Sequence, residues 1–186
     1  GPEVVGRPIA PPPACLSEEC VNLRASLNKR KPIYVELGLQ TIHEESASFI
    51  RRGYPLAIYD DAVSRLQAAG IPVITHVILG LPKETSADML ATVRHVISGN
   101  VHGIKLQLLH ILQDTDLADY YEAADSSEFA CMSLDAYMDI LFSILPLIPE
   151  DTVIYRLTGD GPKRSLLAPL WSADKKKVLN TLRQRM

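Results

Sequence analysis

Glu36, Gln40, His76, Lys105 and Gln107 each sit inside a short stretch that is otherwise apolar. In "YVELGLQ" a period of two puts Val35, Leu37 and Leu39 on one face and Tyr34, Glu36, Gly38 and Gln40 on the other. The stretch "IPVITHVILGL" places Ile74, His76, Ile78 and Gly80 together. In "HGIKLQLLHIL", Lys105, Gln107 and Leu109 oppose Ile104, Leu106, Leu108 and His110. A buried polar group without a partner costs roughly a few kcal/mol, so a packed apolar interior would not select these side chains. A carboxylate, two amides, an imidazole and an ammonium at alternate positions of neighbouring strands suit a cavity that binds a polar ligand.

The elements that carry them alternate regularly from residue 33 to 112. The strand-like "IYVELGLQ" is followed by the helical "IYDDAVSRLQAAG", with Ala62, Val63, Leu66 and Ala69 on one face and Gly70 as the stop. After "IPVITHVILGL" comes the helix "TSADMLATVRHVISG", capped by Thr85 with Asp88 three residues on and ended by Gly99. Then comes "HGIKLQLLHIL", read as one further strand. Strand–helix–strand–helix–strand at this spacing means parallel strands joined by right-handed crossovers. A doubly wound open sheet and a (β/α) barrel both fit the alternation, and the polar interior favours the barrel. Either way the ligand belongs at the carboxyl ends of the strands. Around this block the expectation is an earlier strand in "EVVGRPIA", a helix in "LSEECVNLRASLNKR", a later helix in "LDAYMDILFSILPLI", a short strand "DTVIYRLTG" and a terminal helix. The assignment is α/β: a partial (β/α) TIM-like barrel with parallel strands, outer helices and C-terminal helices. It is one domain over 1–186, with a βαβαβ core at 33–112 and a C-terminal extension at 113–186.

The 186 residues are 47% apolar, which supports a sizeable core, and carry a formal net charge of −3. That balance gives no electrostatic footprint for nucleic acid. The basic run "DKKKVLNTLRQRM" reads as the solvated face of a last helix. Three scattered cysteines (Cys15, Cys20 and Cys131), no apolar run of membrane-spanning length and no signal-peptide pattern give a cytoplasmic expectation with no membrane partner. "TGDGPKR" lacks the spacing of a phosphate loop and reads as a turn holding Arg156 and Asp160 near the barrel mouth.

The succession "VELGLQTIHEESASFIRRGYPLAIYDDAVSRLQAAGIPVITHVILGLPKETSADM" resembles the second half of a radical SAM barrel. It is similar to a group of uncharacterised bacterial Fe–S oxidoreductases and to the radical SAM domain of the Elongator catalytic subunit. "GIKLQLLHILQDTDLADYY" and "RLTGDGPKRSLLAPLWSADKKKVLNTL" extend the likeness to the bacterial group over nearly the whole chain. The resemblance implies a parent that cleaves S-adenosylmethionine reductively at a 4Fe–4S cluster to a 5′-deoxyadenosyl radical, acting on an unknown substrate. By position, Glu36 and Gln40 would face the ribose or methionine part of the cofactor, and Arg52 would pair with its carboxylate. Gly80 would admit the cofactor to the backbone, and Glu84 would help fix the following turn. Lys105, Gln107 and Leu108 would flank the adenine or the substrate.

The cluster motif of the superfamily, three cysteines spaced C-x₃-C-x₂-C, has no counterpart here. Where relatives read approximately "GTRPDC" at the first strand end, this chain reads "APPPAC". The expectation is therefore the C-terminal part of such a protein, without its cluster-binding part, binding neither cluster nor cofactor by itself and having little activity. An open strand edge on such a piece would favour self-association. Two other classes stay open: a non-catalytic half-barrel binding a nucleotide-like ligand or a partner, and an RNA-associated module.

Overall fold

Five parallel strands carry the helices on one side and a polar lumen on the other. The computed structural model describes residues 7–124, 129–159 and 161–186. In chain order the elements are β1 (Arg7–Ile9), α1 (Glu18–Asn28), β2 (Ile33–Gln40), α2 (Glu44–Phe49), α3 (Leu56–Ala68), β3 (Val73–Leu79) and α4 (Ser86–Ser98). They continue with β4 (Gly103–Leu108), β5 (Ile111–Leu112), α5 (Asp116–Ala123), α6 (Leu134–Ile144), β6 (Val153–Arg156), β7 (Leu166–Ala168) and α7 (Lys175–Arg185). The sheet order is β1-β2-β3-β4-β6, every neighbouring pair parallel, with β5 and β7 forming a separate antiparallel pair.

The period-two reading of the strands places the core. Val35, Leu37 and Leu39 of β2, Val77 and Leu79 of β3, and Ile104 and Leu106 of β4 are completely buried against the helices. Ala62 and Leu66 of α3, Val93 of α4, and Tyr137 and Ile144 of α6 close over them. Each such side chain contributes about 1.5–3 kcal/mol on burial, which holds the strand register firmly. The Thr85–Asp88 capping box forms as the sequence predicts and starts α4 directly after the β3 turn.

Several elements differ from the sequence reading, α5 and β7 among them, which it does not include. "HGIKLQLLHIL" does not continue as one strand: the chain leaves the sheet after Leu108, and Ile111 pairs instead with Ala168. The reason is a second apolar cluster of Ile111, Ala118, Phe129 and Ala168, which draws the segment away from β4. Helix α2 was not anticipated because its six residues, EESASF, show no helical apolar period. Two glutamates in its first turn favour it through the helix dipole.

In the C-terminal region, α7 buries Val178 and ties to α6 through Arg185, which binds Asp135 at 3.3 Å and Asp139 at 2.6 Å. The basic run is thus the solvated face of a packed helix. Arg156 is exposed on β6, and Asp160 lies outside the described residues. No helix among the described residues is long and apolar enough to cross a membrane.

A candidate ligand site at the carboxyl ends of the strands

A row of side chains runs across the lumen face of β2, β3 and β4. Parallel pairing sets Gly38 beside His76 and His76 beside Lys105, so the polar alternate positions of three strands fall in one layer. Glu36 Oε2 lies 2.6 Å from Lys105 Nζ and 2.7 Å from His76 Nε2. His76 Nδ1 lies 2.9 Å from Gln107 Nε2. An amide nitrogen can only donate, so Nδ1 accepts from Gln107 and Nε2–H donates to Glu36: the imidazole is neutral and held in one tautomer. Burial lowers the His76 pKa below the ordinary imidazole value, against the opposing bond to Glu36 and with help from the Lys105 charge. For Glu36, burial alone would raise the carboxyl, but the hydrogen bonds from Lys105 and His76 overcome it and leave the pKa lowered. The row therefore holds a carboxylate, an ammonium and a neutral imidazole.

Above the row opens a cavity of about 1070 Å³ lined by Glu36, Gly38, Gln40, Tyr54 and His76, together with residues from the β1 end, the α2–α3 connection and α5. Volumes of roughly 300–1,000 Å³ suit ligands of drug or nucleotide size. The last residue of β2, Gln40, has φ 68°, and the β2–β3 register slips between Gly38 and Gln40. This bend turns the carboxamide over Gly38, where an added Cβ would lie 2.7 Å from Gln40 Nε2. Gln40 Oε1 is buried and has no hydrogen-bond partner within the protein. Buried acceptors are nearly always paired, so this one is open to a donor. The Tyr54 hydroxyl donates to the Gly38 carbonyl and pins that turn. Burial raises the Tyr54 phenol above its ordinary value, against the pull of the Arg52 charge.

The sequence-predicted residues divide into three groups. Glu36 and Gln40 line the cavity. Gln107 stands behind the lining and acts on His76. Leu108 is on the opposite face, 3% exposed within the helix-side core, because the alternation that sends Gln107 to the lumen sends its neighbour away. Gly80 is also outside the lining. Its φ is +84°, and a Cβ there would meet Met132 Sδ at 3.0 Å and Leu108 Cδ1 at 3.9 Å, so this glycine serves the turn and a close side-chain approach.

Arg52 reaches the cavity edge, yet its side chain is only 2% exposed and its donors are spent within the protein. Nε donates to the Tyr54 carbonyl at 2.8 Å, and one terminal nitrogen donates to the Thr41 carbonyl at 2.6 Å and the Leu39 carbonyl at 3.4 Å. The other binds both oxygens of Glu44, at 3.0 and 3.2 Å. This leaves no N–H to pair with a ligand carboxylate, contrary to the sequence expectation. Glu84 fixes its turn by accepting from Thr41 Oγ1 at 2.6 Å.

Sequence reasoning missed Tyr54, Phe49 and the α5 residues of the cavity. Thr115, which accepts from Ala118 N and is followed by Asp116 and Asp119, is an N-cap signal that would have revealed α5. Nothing local foretells Tyr54. Cys15 is exposed, Cys20 lies on α1 and Cys131 precedes α6. Among the described residues no three His, Cys, Asp or Glu side chains come together as a metal site.

Comparison with known proteins gives the family and the fold. Residues 16–96 match the model of the radical SAM superfamily, and residues 101–186 match the radical SAM C-terminal domain. The uncharacterized protein YtqA of Bacillus subtilis is 38% identical over 184 residues, covering 99% of this chain and 56% of that protein. Protein YhcC of Escherichia coli is 30% identical, covering 90% of this chain and 54% of that protein. The chain thus spans about half the length of the curated relatives it matches. In structure, the archaeal Methanocaldococcus infernus Elp3 superposes with a TM-score of 0.79 at 18% identity, over 97% of this chain and 42% of that one, a likeness of fold. Two consecutive matches to models of one superfamily, together spanning most of the residues and set on a parallel α/β partial barrel, make this chain a member of the radical SAM superfamily.

Proposed function

We propose that this chain forms the nucleotide-holding side of a radical SAM barrel and that the cavity over β2 and β3 takes S-adenosylmethionine. When bound, that molecule supplies radical chemistry through its reductive cleavage at an iron–sulfur cluster. The chain's own residues do not fit the cluster: its cysteines are dispersed and the described residues assemble no metal site. They do fit the nucleotide.

The observation that carries the reading is Gln40 Oε1, a buried acceptor with no protein partner, set over the side-chain-free Gly38 in the cavity. A ribose hydroxyl or an adenine amine is the kind of donor that would satisfy it. Glu36 supports this: its hydrogen bonds from Lys105 and His76 both fall on Oε2, and Oε1 is the oxygen left to accept from the ligand. Lys105 and His76 hold the carboxylate ionised and oriented, and Gln107 holds His76. Arg52 shapes the β2 end through its carbonyl bonds and is a positioning residue.

Isothermal titration of the 186-residue chain with S-adenosylmethionine tests this. In place of the sequence expectation that the chain by itself holds no cofactor, binding is expected, weakened about tenfold or more by Gln40→Ala and by Glu36→Gln, the size of a lost charge-assisted or buried hydrogen bond. Absence of binding at millimolar ligand, or binding indifferent to both substitutions, refutes the proposal.

A further inference from the structure

The cavity has a second character that the nucleotide reading leaves unused. On the β1 side, Pro11, Pro12 and Pro13 contribute rings without a side-chain or backbone donor. The same cavity is lined by Phe49 and Tyr120, whose rings meet edge to face, with centroids 5.0 Å apart and planes at 66°. Phe49 is 41% exposed while it packs against Tyr120 and lines the cavity. Leu117 completes this wall.

The charges beside the wall in this cavity are paired. Arg51 binds Asp116 at 2.5 Å across the mouth, and the Arg52 donors are spent on carbonyls and Glu44. Thr115 uses its hydroxyl to donate to the Leu112 carbonyl at 2.7 Å and to accept from Ala118 N. The wall itself offers ring faces and aliphatic surface, and the arginines beside it in this cavity are engaged by Asp116, Glu44 and backbone carbonyls. The cavity, at about 1070 Å³, is also at the upper end of what one ligand fills.

We propose that this wall is a substrate subsite for a flat, uncharged ring, aromatic or nucleobase-like, held between the proline run and the Phe49–Tyr120 pair. The inference rests on the reading that the nucleotide occupies the polar side of the same cavity. It specifies the substrate class: an uncharged ring system at the reacting end, in preference to a carboxylate, phosphate or ammonium group. Stacking on aromatic faces and CH surfaces provides the attraction, and a charged substituent would lose its hydration without gaining a partner.

The test uses 5-fluoroindole as a neutral probe and its 3-carboxylate and 3-aminomethyl derivatives as charged controls. Binding to the 186-residue chain is followed by ¹⁹F line broadening, with and without saturating S-adenosylhomocysteine. The neutral ring should bind about tenfold more tightly than either charged form and remain bound when the nucleoside is present. Phe49→Ala and Tyr120→Ala should each weaken it about fivefold, the scale of one aromatic contact. Phe49 is half-exposed, so its truncation leaves the fold intact, which circular dichroism verifies. Pro12→Arg should reverse the preference in favour of the carboxylate. Equal or tighter binding of a charged ring, indifference to both truncations, or full displacement by the nucleoside would each overturn the proposal. If the nucleoside fails to bind while the ring selectivity holds, the nucleotide reading falls and the ring subsite stands.

Discussion

Replacing Arg52 by alanine should destabilise the fold, and the size of the loss can be worked from its bonds. The guanidinium is 2% exposed, lies 5.2 Å over the Tyr54 ring, and satisfies the Tyr54 carbonyl at 2.8 Å and the Thr41 carbonyl at 2.6 Å. Leaving a buried acceptor unsatisfied costs about 1–3 kcal/mol. The Leu39 bond, at 3.4 Å, adds little. The Glu44 arm is discounted because that carboxylate is 58% exposed, and such pairs contribute about 0–1 kcal/mol. The sum is about 3 kcal/mol. For a chain of 186 residues this lowers Tm by about 6–12 °C, at roughly 2–4 °C per kcal/mol. Arg52→Lys should recover only part of the loss, because an ammonium cannot reach three carbonyls in one plane. Glu44→Gln keeps an acceptor for the Leu56 N–H and should cost about 1 kcal/mol or less. Thermal melts followed by circular dichroism, alongside nucleoside titrations, decide the matter. If Arg52→Ala melts within about 2 °C of the parent chain but no longer binds S-adenosylmethionine, the arginine is a ligand group and the structural reasoning is wrong.

Other perturbations separate lumen from core. Gly38→Ala places a Cβ 2.7 Å from Gln40 Nε2, the movable end of a side chain, so the carboxamide should swing aside. Nucleoside affinity should fall about tenfold while Tm stays within about 2 °C, measured by calorimetry and a melt. Gly80→Ala should do the reverse: its φ of +84° and the 3.0 Å approach to Met132 predict a loss of about 1–2 kcal/mol with affinity unchanged. For pH, the folded His76 pKa lies below its unfolded value, so the unfolded chain binds more protons. The stability it contributes is full above the ordinary histidine value of about 6.5 and drains away as pH falls through the folded value. An NMR titration of the imidazole should show the depressed pKa, and Lys105→Met should move it upward by removing a like charge. Finally, S-adenosylmethionine should bind more tightly than S-adenosylhomocysteine, which lacks the sulfonium charge, and Glu36→Gln should erase most of that difference in paired titrations.

The legible parts of the fold were those with strong periodicity or complete caps. The alternation in β2, the Thr85–Asp88 box and the stop at Gly99 each state their structure locally. The polar row was legible too, because a carboxylate, an imidazole and an amide inside apolar runs break the pattern that an inert core would show. What could not be read was set by distant contacts. Arg52 follows another arginine in a turn, and only the fold reveals that three backbone carbonyls converge on it. The break after Leu108 depends on Ala168 and Phe129, far along the chain. Leu108 belongs beside the ligand only by resemblance, whereas its alternation with Gln107 puts it on the helix side.

The ordering of the row also determines which charge the ligand meets. Lys105 and Glu36 cancel as a pair, so the site has little net charge, but its two members are not equally placed. Glu36 lines the cavity, whereas Lys105, on β4, is not part of its lining. The negative member of the pair is therefore the one that borders the cavity. His76 cannot offset this, since it is held neutral by an acceptor bond on one side and a donor bond on the other. The two arginines at the rim are matched to Asp116, Glu44 and backbone carbonyls. At a separation of 2.6 Å, the field of the Glu36–Lys105 pair falls off steeply, so only a group close to Glu36 feels it. Such a site favours a ligand with a cationic centre near the β2 strand and an uncharged remainder, the charge pattern of a sulfonium nucleoside lying beside a flat neutral substrate.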